Sequence, residues 1–140
     1  MVDARNYLMY FKVAESRIEL KLKQIRSLEE HLCNISPHMD NEQVSHTRND
    51  SVMADTIAVI VDIQNDIDRQ TSEIFKKKQE AYRILDQMDP ESAEILIEHF
   101  FNGKTLLCIS RLSHITERHV QRKLHNAITE FQSILNTIQP

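Results

Sequence analysis

The stretch FFNGKTLLCISRLSHITERHVQRKLHNAI, from Phe100 to Ile128, decides the fold of this 140-residue chain. The Asn-Gly pair at 102–103 holds the only glycine in the chain and is typical of the end of a helix. Thr105 and Thr116 are suited to begin the two helices that follow, because a threonine hydroxyl accepts a hydrogen bond from a free backbone N–H. A short helix, a tight turn at 113–115 and a longer helix are the order of a helix-turn-helix unit.

The longer helix has one apolar face and one polar face. Val120, Leu124 and Ile128 recur at helical spacing, so we expect them to face inward. The same face is predicted to include Ala127, Phe131 and Leu135. The outward face is predicted to carry Glu117, Arg118, Gln121, Arg122 and His125. Arginine pairs with guanine, glutamine with adenine, and glutamate accepts from cytosine, so these side-chain types are the ones that read base edges in DNA.

Charge is separated along the chain. The net charge is -4, yet residues 104–125 hold five basic residues against one acid. Residues 50–73 hold six acids against one arginine. The positive part therefore coincides with the predicted helix-turn-helix unit, as expected of a surface that meets phosphates. The residues predicted to hold phosphates are Lys104, Arg111, His119 and Lys123.

Two heptad stripes predict a helical hairpin over residues 1–88. The first stripe consists of Phe11, Ile18, Ile25 and Leu32, with Leu8, Ala14, Leu22 and Leu28 beside it. The second consists of Ile60, Ile67, Ile74, Ala81 and Met88, with Met53, Ile57 and Leu85 beside it. Seven-residue spacing is typical of helices that pack side by side. We therefore expect antiparallel helices over 3–32 and 51–88, joined by a mobile loop near 33–51 that contains Pro37.

A compact domain is predicted over residues 89–140. Asp89 and Pro90 are a typical helix start, because the acid can cap the helix and proline lacks only an N–H that would be free anyway. This helix is predicted to run to Phe101, with its buried positions at Ala93, Leu96, Ile97 and Phe100. The expected fold class is all-α: a long antiparallel, coiled-coil-like helical hairpin followed by a compact C-terminal helix-turn-helix domain.

Composition argues against several other classes of protein. Apolar residues make up 41% of the chain and charged residues 27%, which suits a folded protein. The longest apolar run, at 57–63, is too short to cross a bilayer, and the charged N-terminus lacks the apolar run of an export signal. The two cysteines are far apart, which fits a reducing compartment. We expect a cytoplasmic protein with no membrane association and no cofactor.

Neither a catalytic site nor a metal site is predicted. The chain has no glycine-rich phosphate loop and no nucleophile motif beside a base. His114 and His119 are five residues apart, and His119 and His125 are six apart, so neither pair shares a helix face as zinc ligands would. We therefore expect a protein that is not an enzyme.

Residues 85–131, LDQMDPESAEILIEHFFNGKTLLCISRLSHITERHVQRKLHNAITEF, resemble region 4 of the sigma-70 family. The shared pattern falls on Gly103, Thr105, Ile109, Thr116, Val120 and Ala127-Ile128. The NYLMYF start, the hairpin and the ERHV helix together resemble the small phage and prophage regulators of late transcription, the ArpU/RinA type. The family pattern places Leu and then a Gly-like residue in the turn, where this chain has Ser113 and His114, so the geometry of the turn stays open.

The resemblance implies a phage- or prophage-encoded transcription regulator that binds double-stranded DNA in a bacterial host. It implies that the helix starting at Thr116 lies in the major groove. The DNA contacts that it implies are Thr116, Glu117, Arg118, Gln121 and Arg122. RNA polymerase and a second copy of the chain, each docked through the hairpin, are further expected partners. The alternative is a coiled-coil adaptor protein without DNA binding. The second stripe also fits this alternative, because Gln64, Thr71 and Lys78 make its adjoining row partly polar.

Overall fold

The computed structural model describes residues 2–35 and 43–138, and every regular element in this part of the chain is helical. The helices are α1 (Ala4–Ile35), α2 (Gln43–Leu85), α3 (Pro90–Leu96), α4 (Leu106–Ser113) and α5 (Glu117–Ile138), and a π-helical turn at Ile97–Phe101 follows α3 directly. The predicted all-α class, a long helical hairpin followed by a compact helical domain, is confirmed. Within the described ranges, no helix is long and apolar enough to cross a membrane.

The connection between α1 and α2 is shorter than the loop predicted near 33–51. α1 continues to Ile35, and α2 already begins at Gln43. Residues 43–51 are polar but contain neither glycine nor proline, so they do not interrupt the backbone hydrogen bonds of a helix. The predicted helix start at residue 51 was wrong because polarity alone does not end a helix. Pro37, on which the predicted break depended, lies outside the described residues.

Two compact units make up the chain: a larger unit of residues 1–15 and 74–140, and a hairpin unit of residues 16–73. This division runs across both long helices, whereas the predicted boundary lay between residues 88 and 89. The difference comes from burial. Ala4, Leu8 and Phe11 in the first turns of α1 have no exposed surface, and they belong to the core of the larger unit.

An aromatic cluster holds the larger unit together. The ring centroids of Phe11 and Phe101 lie 4.7 Å apart, and those of Tyr7 and Phe131 lie 5.6 Å apart. Phe11 and Phe131 have no exposed surface. Tilted and edge-on contacts between aromatic rings add to the free energy gained by burying them. The start of α1 is therefore packed against both the π-helical turn and α5.

The hairpin unit has a thin apolar seam. Ile25 and Ile60, both predicted stripe residues, are buried. Leu22 and Ile57, predicted on the adjoining rows, are 42% and 48% exposed. Two helices cover only one narrow stripe of each other, so the adjoining rows stay open to solvent.

A π-helical turn interrupts the helix predicted to run to Phe101. α3 ends at Leu96, and the N–H of Asn102 donates to the carbonyl of Ile97 at 2.9 Å, which is the i to i−5 pattern of a π turn. The prediction missed this turn because apolar spacing over five residues does not separate an α turn from a π turn. Gly103 then ends the helix as predicted, with a φ of 70° in the left-handed region.

Asp89 begins α3 without capping it through its side chain, which corrects the predicted cap. Its carboxylate makes no capping hydrogen bond. Its backbone carbonyl accepts from the Ala93 N–H at 2.9 Å, and its own N–H donates to the Glu130 carboxylate of α5 at 2.9 Å. The helix start is set instead by Pro90, whose ring fixes the first helical dihedral. Of the positions predicted to be buried, Leu96 and Phe100 are buried, and Ala93 and Ile97 are half-buried.

Candidate nucleic-acid interface

α4 and α5 form a helix-turn-helix arrangement inside the larger unit. Thr105 begins α4 as predicted, because its hydroxyl accepts a hydrogen bond from the Cys108 N–H at 3.1 Å. Ile109 is buried on the inner side of α4. Both α3 and α4 pack against α5.

The turn between α4 and α5 is built around His114. This residue has φ 57° and ψ 36°, the left-handed conformation that ends many helices and that glycine usually occupies. The N–H groups of His114 and Ile115 both donate to the carbonyl of Ser110, the latter at 3.2 Å. The Ser110 hydroxyl donates in turn to the Ile115 carbonyl. A left-handed residue therefore stands where the family pattern has a Gly-like one, and the turn is closed despite the different residue types.

Thr116 caps α5 as predicted. Its hydroxyl oxygen accepts from the His119 N–H at 3.2 Å, and its carbonyl accepts from the Val120 N–H at 3.1 Å. Glu117, in the first turn, places a negative charge at the positive end of the helix dipole. The same residues that start the helix thus fix the direction in which its first turn points.

α5 presents one buried face and one exposed face, as the apolar spacing predicts. Val120, Ala127, Phe131 and Leu135 are buried. Leu124 and Ile128, also predicted to face inward, are half-buried at the edge of this face. The predicted outward residues Glu117, Arg118, Gln121, Arg122 and His125 are all exposed. Sequence spacing alone therefore placed these side chains on the correct face.

Arg118 and Arg122 are free to meet a ligand. Each lies opposite the buried face, since each is two residues from Val120, which is about 200° around the helix. Among the described residues, neither arginine takes part in an ion pair. Gln121 lies between them in sequence and is also exposed. An anionic partner would meet no internal competitor for these two charges.

Lys104 is placed differently from the predicted phosphate contact. The reversal at Gly103 brings it back over the π-helical turn, where its ammonium forms an ion pair with Glu98 and its N–H donates to the Glu98 carbonyl at 3.0 Å. The hydrogen bond between the two side chains raises the pKa of Lys104 and lowers the pKa of Glu98. The Lys104 charge is already compensated within the protein, so the structure does not add it to the exposed cationic face.

The other predicted phosphate contacts lie in different surroundings. Arg111 is exposed on α4, and His119 is half-buried. Lys123 is exposed but lines a cleft of about 260 Å³ whose other charged lining residues are Glu91, Glu94 and Glu98. This flank of α5 therefore carries more negative than positive charge.

The opposite flank of α5 carries a basic residue that sequence reasoning missed. Arg5 of α1, Gln121 and His125 line one cleft of about 380 Å³. Arg5 lies 99 residues before the predicted helix-turn-helix unit begins at Lys104, and no local motif links the two segments. Ala4 and Leu8 are buried in the core of the larger unit, but what covers this turn of α1 is known only from the structure.

The imidazole ring of His99 has a hydrogen-bond partner at each of its two nitrogens. Its Nδ1 donates to the carbonyl of Lys104 at 2.9 Å, which leaves Nε2 to accept from the Lys12 ammonium at 3.3 Å. Burial lowers the pKa of His99, and the Lys12 charge lowers it further, although the hydrogen bond to the Lys104 carbonyl acts in the opposite direction. The ring is therefore a neutral structural link between α1, the π-helical turn and the start of α4.

No protein-family model, curated protein or solved structure matches this chain. The likeness to region 4 of the sigma-70 family therefore stays a prediction from residues 85–131. Among the residues that the structure describes, no group of three or more His, Cys, Asp or Glu side chains is placed to hold a metal ion. The functional argument depends on the geometry and charge of α4, α5 and the start of α1.

Proposed function

We propose that this protein is a sequence-specific regulator of transcription that reads the major groove of double-stranded DNA with the first half of α5. The observation that carries the proposal is the division of α5 into a buried face with Val120 and an exposed face with Arg118 and Arg122, which form no ion pair with any residue that the structure describes. The major groove admits one α-helix, and a helix-turn-helix unit presents the first turns of its second helix to the bases.

The exposed side chains divide by chemistry into base contacts and phosphate contacts. Arg118 and Arg122 suit guanine, whose O6 and N7 accept a bidentate pair, and Gln121 suits adenine. Glu117 suits the amino group of cytosine. Thr116 uses its oxygen as the helix cap, which leaves its hydroxyl proton to donate to a phosphate. The phosphate contacts proposed on the remaining positions are Arg111 and His119, with His125 at the edge of the face. Lys123 is not assigned a phosphate, because it lies in a cleft with Glu91, Glu94 and Glu98.

The wider setting follows from the resemblance to phage and prophage late regulators. We propose a phage- or prophage-encoded protein that acts in the cytoplasm of a bacterial host and has no catalytic activity. The hairpin would bring the DNA-bound domain to RNA polymerase or to a second copy of the chain. Such a role requires binding only, so no chemical step is assigned to any residue.

Selection of bound duplexes from a random pool tests the proposal directly. An enriched site is expected, and its symmetry would show whether one or two copies bind. On that site Arg122→Ala should weaken binding by roughly 1–3 kcal/mol and relax the preference at one base pair. Arg83→Ala is a matched control, because Arg83 is an exposed arginine at the end of α2 that lies outside the helix-turn-helix arrangement.

The dependence of binding on salt completes the test. A protein that neutralises phosphates loses affinity steeply as salt rises. If Gln121→Ala and Arg122→Ala both bind duplex as tightly as the wild type at low salt, the proposed reading face is refuted. If no duplex binds at any salt concentration, the whole DNA-binding proposal is refuted.

A coiled-coil adaptor is the second candidate function. It is favoured by the open apolar side chains of the long helices, of which Leu20 is 64% exposed and Phe75 is 61% exposed. Large exposed apolar side chains are suited to packing against another helix. If the protein is an adaptor, Leu20→Gln or Phe75→Gln should abolish capture of a protein partner. Neither the wild type nor these variants should then bind duplex DNA. Binding of duplex DNA by the wild type would show that the protein is not solely an adaptor.

A further inference from the structure

Arg5 and the exposed face of α5 share one cleft. The cleft of about 380 Å³ is bordered by Arg5, Gln121 and His125, whose side chains are all exposed. Its other lining residues are mostly apolar: Met9, His99, Phe100, Leu106, Leu124 and Ile128. A polar border with one guanidinium around an apolar floor matches a sugar-phosphate chain, whose anionic oxygens and sugar carbons alternate along one strand.

The backbone beside Arg5 is attached to α5. The Ala4 N–H donates to the Gln132 side-chain oxygen at 2.6 Å, and the Gln132 amide nitrogen donates to the Val2 carbonyl at 2.9 Å. Ala4 itself has no exposed surface. The position of Arg5 relative to Gln121 and His125 is therefore fixed by hydrogen bonds on one side of the residue and by packing on the other.

Charge favours the Arg5 flank of α5 for an anionic partner. The other flank combines Lys123 with Glu91, Glu94 and Glu98, of which Glu98 is paired with Lys104, so acids outnumber bases there and the flank is less favourable for a phosphate chain. Asp3 is the acid nearest to Arg5 in sequence, and its carboxylate accepts from the Arg5 backbone N–H at 3.4 Å. Within residues 2–35 and 43–138, the Arg5 guanidinium has no ion pair. The difference in charge between the two flanks therefore favours the Arg5 side of α5 for an anionic partner.

We propose that Arg5 is a phosphate-contacting residue of the DNA interface and holds one backbone strand at the edge of the groove that α5 reads. The inference rests on the proposed DNA-binding function and adds to it a contact from α1. The planar guanidinium suits this role because it binds two phosphate oxygens at once. The contact extends the interface from the helix-turn-helix arrangement to the N-terminal helix and sets which flank of α5 faces the backbone.

Three variants of the full-length chain test the assignment on the selected duplex. Each phosphate contact contributes about 0.9 to the slope of log affinity against log salt. Arg5→Gln is therefore expected to reduce the slope by about 0.9. The ratio of wild-type to variant affinity should then be about eight times larger at 0.1 M salt than at 1 M salt. Arg5→Lys keeps the positive charge and should keep the slope. Arg17→Gln removes an exposed arginine twelve residues further along α1 and should leave both quantities unchanged.

The outcomes separate this inference from the proposed function. If the wild type binds and Arg122→Ala weakens binding, but Arg5→Gln has the same affinity and salt slope as Arg17→Gln, then only the role of Arg5 is overturned. An Arg5→Gln variant that changes the preferred base sequence instead of the salt slope also overturns the phosphate contact. Absence of duplex binding by the wild type overturns the proposed function. Because Arg5 is exposed, an unchanged melting temperature for Arg5→Gln is expected and shows that lost affinity does not arise from unfolding.

Discussion

The contact between Tyr7 and Phe131 provides the sharpest test of how the larger unit is built. Their ring centroids lie 5.6 Å apart at an interplanar angle of 45°, and Phe131 has no exposed surface. A pair of aromatic rings at this separation contributes about 0.5–1.5 kcal/mol beyond the burial of each ring alone. We therefore expect a coupling free energy of that size between Tyr7→Leu and Phe131→Leu in a double-mutant cycle. The coupling would show that the start of α1 and α5 share one core.

Urea unfolding followed by tyrosine fluorescence measures this coupling. All three tyrosines lie in the larger unit and the chain has no tryptophan, so the signal reports this unit rather than the hairpin unit. Each single variant is expected to lose about 0.5–3 kcal/mol, within the usual range for a changed core residue. Leucine retains most of the apolar volume, so the double variant is expected to fold.

A matched pair shows whether the coupling is specific. The ring of Tyr82 contacts that of Phe101, with centroids 5.5 Å apart, and makes no ring contact with Phe131. Tyr82→Leu and Phe131→Leu should therefore add within about 0.3–0.5 kcal/mol. If the Tyr7 pair were equally additive, residues 1–15 would not share a core with α5. The predicted boundary between residues 88 and 89 would then be the better division of the chain.

Three further predictions concern the caps, the turn and one histidine. Thr116→Ala should lower the unfolding free energy by about 1 kcal/mol, with Thr116→Ser close to wild type in urea melts, because only the hydroxyl oxygen caps α5. His114→Gly should raise the melting temperature, since it removes part of the roughly 1–2 kcal/mol cost of a left-handed L-residue, and Gly103→Ala should lower it for the converse reason. Because the pKa of His99 is lowered in the folded protein, its stability contribution is present above the unfolded value of about 6.5 and is lost as pH falls through the folded value. His99→Gln should therefore remove part of the loss of stability that sets in as the pH falls below about 6.5, and pH melts that coincide with wild type would refute this.

Local chemistry made much of the C-terminal half predictable. The structure confirms the predicted roles of Thr105 and Thr116 as helix caps and of Gly103 as a helix end. These roles were predictable because a cap or a left-handed turn depends on a few neighbouring backbone groups. The buried positions of α5 followed from helical spacing for the same reason. His114 shows the limit of this approach, since the left-handed position was not recognised when histidine stood where the family pattern has a Gly-like residue.

The features that the sequence did not reveal depend on contacts between distant segments. Lys104 is neutralised by Glu98 because the π-helical turn and Gly103 fold it back, and neither its charge nor its spacing indicates this. Asp89 gives its backbone N–H to Glu130, 41 residues later, instead of capping α3 with its carboxylate. Arg5 is placed beside α5 by Gln132, which lies 128 residues after Ala4. Each of these pairings is set by packing, so a pattern read along one segment cannot contain it.

The distribution of exposed charge explains how a chain of net charge -4 would bind DNA. Lys104 is paired with Glu98, and Lys123 lies in a cleft with three acids, so two of the basic residues counted in the helix-turn-helix stretch add little positive field. The remaining basic residues of this stretch are Arg111, Arg118 and Arg122, all of them exposed, and Arg5 of α1 adds a fourth exposed arginine. If the protein binds DNA as proposed, so few arginines would neutralise few phosphates, and base contacts would have to supply a larger share of the affinity. The acidic residues around these arginines would thus favour discrimination between DNA sequences. A protein that binds any phosphate chain poorly depends for its affinity on the side chains that distinguish one base pair from another.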